Sequence, residues 1–403
     1  MTIDLATVVE YESQRVRITD RQARSLAEAA SGALTVATDP EPGWWRITAQ
    51  HYVGSLEVDG LRLLIRPKIR PENLFLLLEV GLQAKDWRQE AYDYASTHDL
   101  LPSVIAFFTR TVETTLARGL LRSYREVREP LVALRGRLDL AAQFTRSGIA
   151  SPVACRYDDF TADIAENRYL RTALRRALQV PRVAPADRRR LMQQLVALED
   201  VADVGSQPED IDHINFTRLN SHYEPALRLA RLILANLTLV DQRGSTTASS
   251  FLLDMNRLFE RFVTERLRRA LQGRLDVRAE PPVFLGEQRQ VFMKPDLTFV
   301  RRTATVYVGD IKYKITHDAG AKNGDYYQLL AYTTALDLPE GVLIYCLAEG
   351  GAPERAVTVR HAGKLLHTRA IDLSGPPARV GVAMAELAEW IVERATLAMP
   401  RWL

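Results

Sequence analysis

The residues with the most chemical potential in this chain lie in one short stretch, Lys294-Pro295-Asp296 followed by Asp310-Ile311-Lys312-Tyr313-Lys314. Residues 290–300 and 305–314 are rich in β-branched and aromatic types and are separated by a polar turn, so they read as two strands of a hairpin. Side chains alternate across a strand, which puts Asp310, Lys312 and Lys314 on one face together with Val308. With Val300 pairing near Val306, the antiparallel register sets Asp296 opposite Asp310. Two carboxylates facing each other in an otherwise apolar hairpin repel. A divalent cation offsets that repulsion: Mg²⁺ takes hard oxygen ligands, keeps several waters and bridges carboxylates to phosphate oxygens, and Mn²⁺ accepts the same donors. Lys312 would then orient or help deprotonate an attacking water and stabilise the charge developing on phosphorus. The chemistry of such a cluster is metal-assisted phosphodiester hydrolysis.

Three further residues fall where they could serve it. A helix expected over residues 325–336 carries Gln328 and Tyr332 at i and i+4, on one face. The plainer reading is a polar helix edge with a core tyrosine at its rim. Glu260 lies on an apolar helix expected over residues 251–271, ahead of the strands, where Arg257 and Arg261 offer ordinary ion-pair partners. Only seven of the 53 basic residues are lysines, and four of those (Lys294, Lys312, Lys314 and Lys322) cluster here in a chain that otherwise uses arginine. Lysine differs from arginine in geometry and pKa flexibility, so the cluster stands out.

The elements that must hold these residues follow from periodicity. The first ninety residues show short β-runs, at 7–11, 15–19, 34–38, 44–48, 52–58 and 61–65, with Asp59-Gly60 as a hairpin turn and a helix after Pro71. Between residues 100 and 240 the period becomes helical, over 102–121, 163–179, 186–198 and 222–239, with a less regular stretch at 124–159. Arg168, Arg171, Arg175, Arg176, Arg182, Arg188, Arg189 and Arg190 give this region enough charge to track a phosphate backbone, although a solvated helix face explains them equally well. The small polar run at 241–250 marks a second boundary. The expectation is an α+β multidomain protein divided at 1–92, 93–245 and 246–403.

Composition excludes other classes. Of 403 residues, 47% are hydrophobic and 26% charged, which is globular and argues against disorder. A net charge of +3 leaves any affinity for polyanions to local patches. Cys155 and Cys346 stand alone, without metal spacing, as in a reducing compartment. No apolar run of membrane-spanning length and no export signal is seen, so a cytoplasmic protein without a membrane partner is expected. There is no GxxxxGK[ST] loop, hence no expectation of a nucleotide bound by this chain, and no HExxH, GxSxG or GxGxxG pattern supports a zinc peptidase, a serine hydrolase or a dinucleotide enzyme.

Pro295-Asp296 with Asp310-Ile311-Lys312 resembles the PD-(D/E)xK nuclease signature, and Gln328, Tyr332 and Glu260 fall where that superfamily often places a helical Gln and Tyr and an acidic residue ahead of the core. The chain order adds Leu64-Ile65-Arg66-Pro67-Lys68-Ile69, Leu134-Arg135-Gly136-Arg137-Leu138-Asp139 and Ala165-Glu166-Asn167-Arg168-Tyr169-Leu170. With them the whole resembles the McrC family, the nuclease subunits of McrBC modification-dependent restriction systems. The resemblance implies a β-rich N-terminal partner-docking domain, a helical middle region and a C-terminal PD-(D/E)xK, restriction-endonuclease-like α/β core. It further implies catalytic Asp296, Asp310, Lys312, Gln328 and Tyr332, and Mg²⁺ held by Asp296, Asp310 and Glu260. The implied partners are modified double-stranded DNA and a McrB-like AAA+ GTPase hexamer whose hydrolysis the family stimulates. A non-cleaving activator of that GTPase and a stand-alone DNA repair nuclease of the same superfamily are the alternatives.

Overall fold

The computed structural model describes residues 4–30, 32–78, 91, 93–95, 99–145, 151–203, 205, 207–241, 247–316, 323–347 and 354–397. The chain forms two compact units, one built from residues 1–100 and 238–403 together, the other from residues 101–237. The first and third stretches of the sequence thus share a unit.

The first stretch runs β1 (Asp4–Val9), β2 (Ser13–Arg17), α1 (Asp20–Ala29), β3 (Leu34–Thr38), β4 (Trp44–Ala49), β5 (Tyr52–Val58), β6 (Leu61–Arg66) and α2 (Pro71–Leu78). Asp59 and Gly60 both have positive φ, 47° and 72°, the geometry a two-residue hairpin needs between β5 and β6. Helix α1 interrupts what reads as strands throughout. Its signal is a capping box, in which the Thr19 hydroxyl accepts the Gln22 N–H and the Gln22 side chain accepts the Thr19 N–H.

The second unit contains α3 (Leu100–Leu116), β7 (Ser123–Leu131), β8 (Arg137–Leu138), α4 (Leu140–Phe144), β9 (Val153–Thr161), α5 (Ala165–Leu178), α6 (Pro185–Ala197) and α7 (Glu224–Asn236). The helices pack through buried Leu170, Leu174, Leu191, Leu227 and Ile233. The irregular stretch at 124–159 is a three-stranded antiparallel sheet in the order β7-β9-β8. Most of β7 is exposed, so no face alternates in hydrophobicity and the strand period is hidden. Gly136 turns the chain with φ of 71°, where a Cβ would lie 2.5 Å from the Tyr157 Cβ, and Asp139 caps α4. The arginine run is mostly engaged internally. Arg168 pairs with Asp163, Arg171 and Arg175 with Asp203, Arg190 with Asp187, and Arg188 donates to the Leu178 and Val180 carbonyls at the end of α5. Those side chains stabilise the helices, which favours the structural reading of the run over phosphate contact.

The third stretch runs β10 (Leu237–Asp241), β11 (Thr247–Asp254), α8 (Met255–Ala270), β12 (Asp276–Ala279), β13 (Val283–Leu285), β14 (Val291–Met293), β15 (Leu297–Arg301) and β16 (Ala304–Thr316). It ends with α9 (Asn323–Ala335), β17 (Glu340–Leu347), β18 (Glu354–Thr358), β19 (Leu365–Asp372) and α10 (Pro377–Leu397). The helix expected from residue 251 starts at Met255: Phe251, Leu252 and Leu253 belong to β11, and the Asp254 carboxylate caps α8 by accepting the Asn256 and Arg257 N–H groups. Likewise Thr247–Ser250, part of the expected polar boundary, is strand; residues 242–246 lie outside the described residues.

Two sheets organise this unit. In the first, with order β1-β6-β5-β11-β10, β11 pairs antiparallel with β5, tying the third stretch to the first. The second has the order β12-β15-β16-β17-β19-β18, with β15 and β16 antiparallel and β16, β17 and β19 parallel. Helix α9 covers the face carrying Val308, with Leu329, Tyr332, Leu343 and Leu366 forming the core there. The opposite face carries Tyr307 and Tyr313, which meet Trp390 of α10 and Phe259 of α8.

Candidate active site

Strands β15 and β16 pair Leu297 with Gly309 and Val300 with Thr305, with an irregularity between Phe299 and Val300. The strand expected over 290–300 is split at Lys294-Pro295-Asp296, because proline cannot donate to a ladder and β14 pairs with β13 instead. Asp296, one residue ahead of Leu297, therefore sits beside the Asp310–Ile311 step of β16. Its Oδ2 accepts the Ile311 N–H at 2.6 Å.

Asp310 is 0% exposed. Its Oδ2 lies 2.6 Å from Lys312 Nζ, its Oδ1 meets no N–H or hydroxyl donor among the described residues, and the Asp296 carboxyl is within hydrogen-bonding reach when the pair holds a proton. Burial raises the pKa of both aspartates. The Asp296 charge raises Asp310 further, while the Ile311 N–H and the Lys312 ammonium pull Asp296 part of the way back. As a coupled pair they hold a proton to higher pH than exposed aspartates do. Burial pulls Lys312 down, but the Asp310 and Asp296 carboxylates outweigh it and the net shift is upward. Lys312 is thus an ammonium here, which suits stabilisation of developing negative charge better than the proton abstraction also open to it from sequence.

Helix α9 brings the next two residues. Gln328 Nε2 donates to the Tyr332 hydroxyl at 2.6 Å, and that hydroxyl donates to the Lys294 carbonyl at 3.2 Å. Tyr332 is buried and fastens the helix to the corner that presents Asp296, while Gln328 stays exposed. Gln328 and Tyr332 lie on one face of the helix, and Tyr332 is both core residue and anchor.

Glu260 is half-buried on α8, one residue from Phe259, which packs on the far face of the sheet. Burial pushes its pKa to about 7, with the Asp296 and Glu280 charges adding and Lys312 and Arg257 opposing. It senses the site electrostatically, yet among the described residues no three His, Cys, Asp or Glu side chains converge closely enough to hold a metal together. The structure brings Asp296, Asp310 and Lys312 into one cluster and leaves Glu260 at its edge.

Two further acidic residues border the cluster. Glu280 accepts an ion pair from Lys294 at 2.8 Å, and its N–H donates to the Asp296 carbonyl at 3.0 Å. Asp325 is buried in the first turn of α9, accepts the Tyr345 hydroxyl at 2.6 Å and adds to the field holding Lys312 protonated. Its place one turn before Gln328 is its signal in the sequence. The Lys314 side chain and Lys322 lie outside the described residues.

A family model described as McrBC 5-methylcytosine restriction system component matches residues 47–346. Among solved structures, one chain from a refined half-complex of a tetradecameric assembly of Thermococcus gammatolerans McrB AAA+ hexamers with bound McrC matches at a TM-score of 0.58 and 20% identity, covering 96% of this chain and 100% of that one. A second, from the cryo-EM structure of the Thermococcus gammatolerans McrBC complex, gives 0.44 and 25%, covering 66% and 88%. No curated protein matches. The first structural likeness shows a shared fold, a mixed α+β architecture of several sheets and helices.

Proposed function

The chain belongs to the family of McrBC 5-methylcytosine restriction system components, and on that premise we propose that it is a Mg²⁺-dependent endonuclease subunit that cuts modified double-stranded DNA in concert with a McrB-like AAA+ GTPase, whose hydrolysis it stimulates. The observation carrying the proposal is fully buried Asp310 of β16 beside half-buried Asp296 just ahead of β15, with Lys312 Nζ 2.6 Å from Asp310 Oδ2 and no N–H or hydroxyl donor on Asp310 Oδ1 among the described residues. A fully buried carboxylate with an unused acceptor is costly unless a cation completes it. The sheet is consistent with a PD-(D/E)xK core: a helix leads into an antiparallel pair, and a covering helix follows before a parallel strand.

The donor set fits Mg²⁺, which needs one or two carboxylates and fills its remaining positions with water and phosphate oxygens. Asp296 and Asp310 would hold it, with Glu260 at most an outer partner. When bound, the ion supplies Lewis-acid polarisation of the phosphate and activation of water. Lys312, as an ammonium, neutralises charge on the non-bridging oxygens as the transition state forms. Tyr332 keeps the Asp296 corner in place, and Gln328, exposed beside it, faces substrate.

The second unit offers a surface for the protein partner. Tyr124, Val132, Leu134, Leu140, Phe144 and Phe160 are all more than half exposed on or beside the β7-β9-β8 sheet. Large apolar side chains left exposed along one small sheet are a candidate protein contact. Around it Arg128 and Arg156 pair with Glu126, and Arg135 with Asp159.

The test is cleavage of methylated and unmethylated plasmid with Mg²⁺, using wild type and Asp310→Ala, with and without the AAA+ partner and GTP. The expected result is cutting of methylated DNA by wild type only when partner and GTP are present, and none by Asp310→Ala. Wild type that stimulates GTP hydrolysis but leaves DNA intact would overturn the nuclease assignment.

A further inference from the structure

One buried carboxylate plays no part in the mechanism above. Glu10, immediately after β1, is 0% exposed, and its Oε1 accepts both the Lys68 N–H at 2.7 Å and the Tyr313 hydroxyl at 2.8 Å. The Tyr11 hydroxyl in turn donates to the Tyr313 carbonyl at 3.3 Å. Glu10 is fixed from its own side as well: its N–H donates to the Arg66 carbonyl at 2.9 Å, where β6 ends. Pro67 follows and Lys68 supplies the donor, so the Arg66-Pro67-Lys68 element conspicuous in the sequence has a local purpose, presenting an N–H to Glu10. Lys68 Nζ lies 3.4 Å from Glu12, on the same side.

Tyr313 is the residue after Lys312 on β16 and points to the opposite face of the sheet. There it is 2% exposed and packs on Phe259 with ring centroids 5.8 Å apart. Phe259 precedes Glu260. Tyr313 thus joins the strand that carries Asp310 and Lys312 to α8 through its ring and to Glu10 at the end of β1 through its hydroxyl. A carboxylate removed from water is retained here at an energetic cost that an apolar contact would avoid.

We propose that Glu10 is a positioning residue for the nuclease centre: by accepting the Tyr313 hydroxyl it fixes the end of β16 and with it the placement of Lys312 against Asp310. This rests on the nuclease reading of Asp310 and Lys312. It makes the N-terminal sheet part of the catalytic scaffold, although no residue of that sheet touches the reacting atoms.

The experiment uses full-length Glu10→Ala, Glu10→Gln and Tyr313→Phe with the AAA+ partner, GTP, Mg²⁺ and methylated DNA. Small displacements of catalytic groups cost rate more than binding, so Glu10→Ala and Tyr313→Phe should lower kcat by roughly 10- to 100-fold while KM for DNA holds. Glu10→Gln keeps an oxygen acceptor for both donors and should restore the rate. Hydrogen exchange at the amides of residues 310–313 supplies a readout independent of cleavage, with faster exchange expected in Glu10→Ala and not in Glu10→Gln. Wild-type cutting by Glu10→Ala, an equal loss in Ala and Gln, or unchanged exchange at 310–313 would each overturn the proposal. Wild type that does not cut would sink the nuclease reading, and the exchange comparison would still decide the placement of β16.

Discussion

At the scale of single residues, the proposed Mg²⁺ site is an electrostatic problem of two close carboxylates and one ammonium. Asp296 and Asp310 are raised by burial and Asp310 further by its neighbour, so near neutral pH protons compete with metal for the pair. Mg²⁺ affinity should therefore strengthen as pH rises from 6 to 8, read as a growing Mg²⁺-induced increase in Tm. A ligand present at about 100 times its Kd adds roughly 2.7 kcal/mol to stability. Asp310→Ala should show no such increase at either pH, and a Mg²⁺ shift that survives the substitution would place the ion elsewhere. Glu10 gives a second pH signature, without metal. Burial lifts its pKa from 4.5 to about 7, with the Lys68 N–H and Tyr313 hydroxyl only partly opposing. The folded state thus binds the proton more tightly than the unfolded chain does. The stability this contributes is complete below pH 4.5 and is lost as pH rises through 7, on the order of 3 kcal/mol across the window. In Glu10→Gln that slope should vanish, so the variant gains on wild type between pH 5 and pH 8 in urea titrations; parallel pH profiles would contradict the assignment.

At the scale of elements, the parts legible in sequence are those whose faces differ. The β15–β16 hairpin is readable because charged Asp310 and Lys312 alternate with Ile311 and Tyr313, and pairing Val300 near Val306 across the turn sets Asp296 opposite Asp310. Helix α9 is readable from its Gln328–Tyr332 step. The β7–β9 pair is not, since β7 is exposed along nearly its whole length and shows no alternation, and β11 is not, because Phe251-Leu252-Leu253 continues smoothly into an apolar helix until Asp254 caps it. Gly54 of β5 marks that hidden pairing. Its φ is +144°, and a Cβ there would fall 1.9 Å from the Phe251 carbonyl oxygen of β11, a rigid backbone atom. Gly54→Ala should destabilise the protein by roughly 3 kcal/mol or more, measured by chemical denaturation, whereas a change below about 0.5 kcal/mol would show that β11 does not lie where it is placed. The exposed sheet makes the converse prediction. The rings of Tyr124 and Phe160 meet at a 45° tilt with centroids 5.0 Å apart while remaining 73% and 54% exposed. Replacing both with Ala should shift stability by only about 0.5 kcal/mol, yet weaken binding to the AAA+ partner at least tenfold by interferometry. Unchanged binding would move the docking surface elsewhere.

At the scale of the whole molecule, the unit that holds the site is assembled from two distant parts of the chain. The sequence suggests independent domains at 1–92 and 246–403, because composition and period change near both boundaries. The pairings run across that division: β11 lies in one sheet with β5, Asn73 donates through Nδ2 to the Leu373 and Gly375 carbonyls at 2.6 and 2.7 Å, and Glu10 holds Tyr313. Periodicity cannot reveal such links, since it reports which face of an element is buried and not what buries it. A fragment of residues 246–403 alone would leave β11 with no β5 to pair with, and would expose Phe251, Leu253 and Tyr313, each at most 2% exposed in the full chain. Unsatisfied strand edges and uncovered apolar surface of this kind favour aggregation over folding. The fragment should therefore lack a cooperative thermal transition, and adding a second chain of residues 1–100 should restore one that is concentration-dependent. A fragment that melts cooperatively by itself, at the temperature of the full chain, would mean that residues 246–403 stand without the N-terminal sheet, and the proposed link from Glu10 to β16 would lose its physical basis.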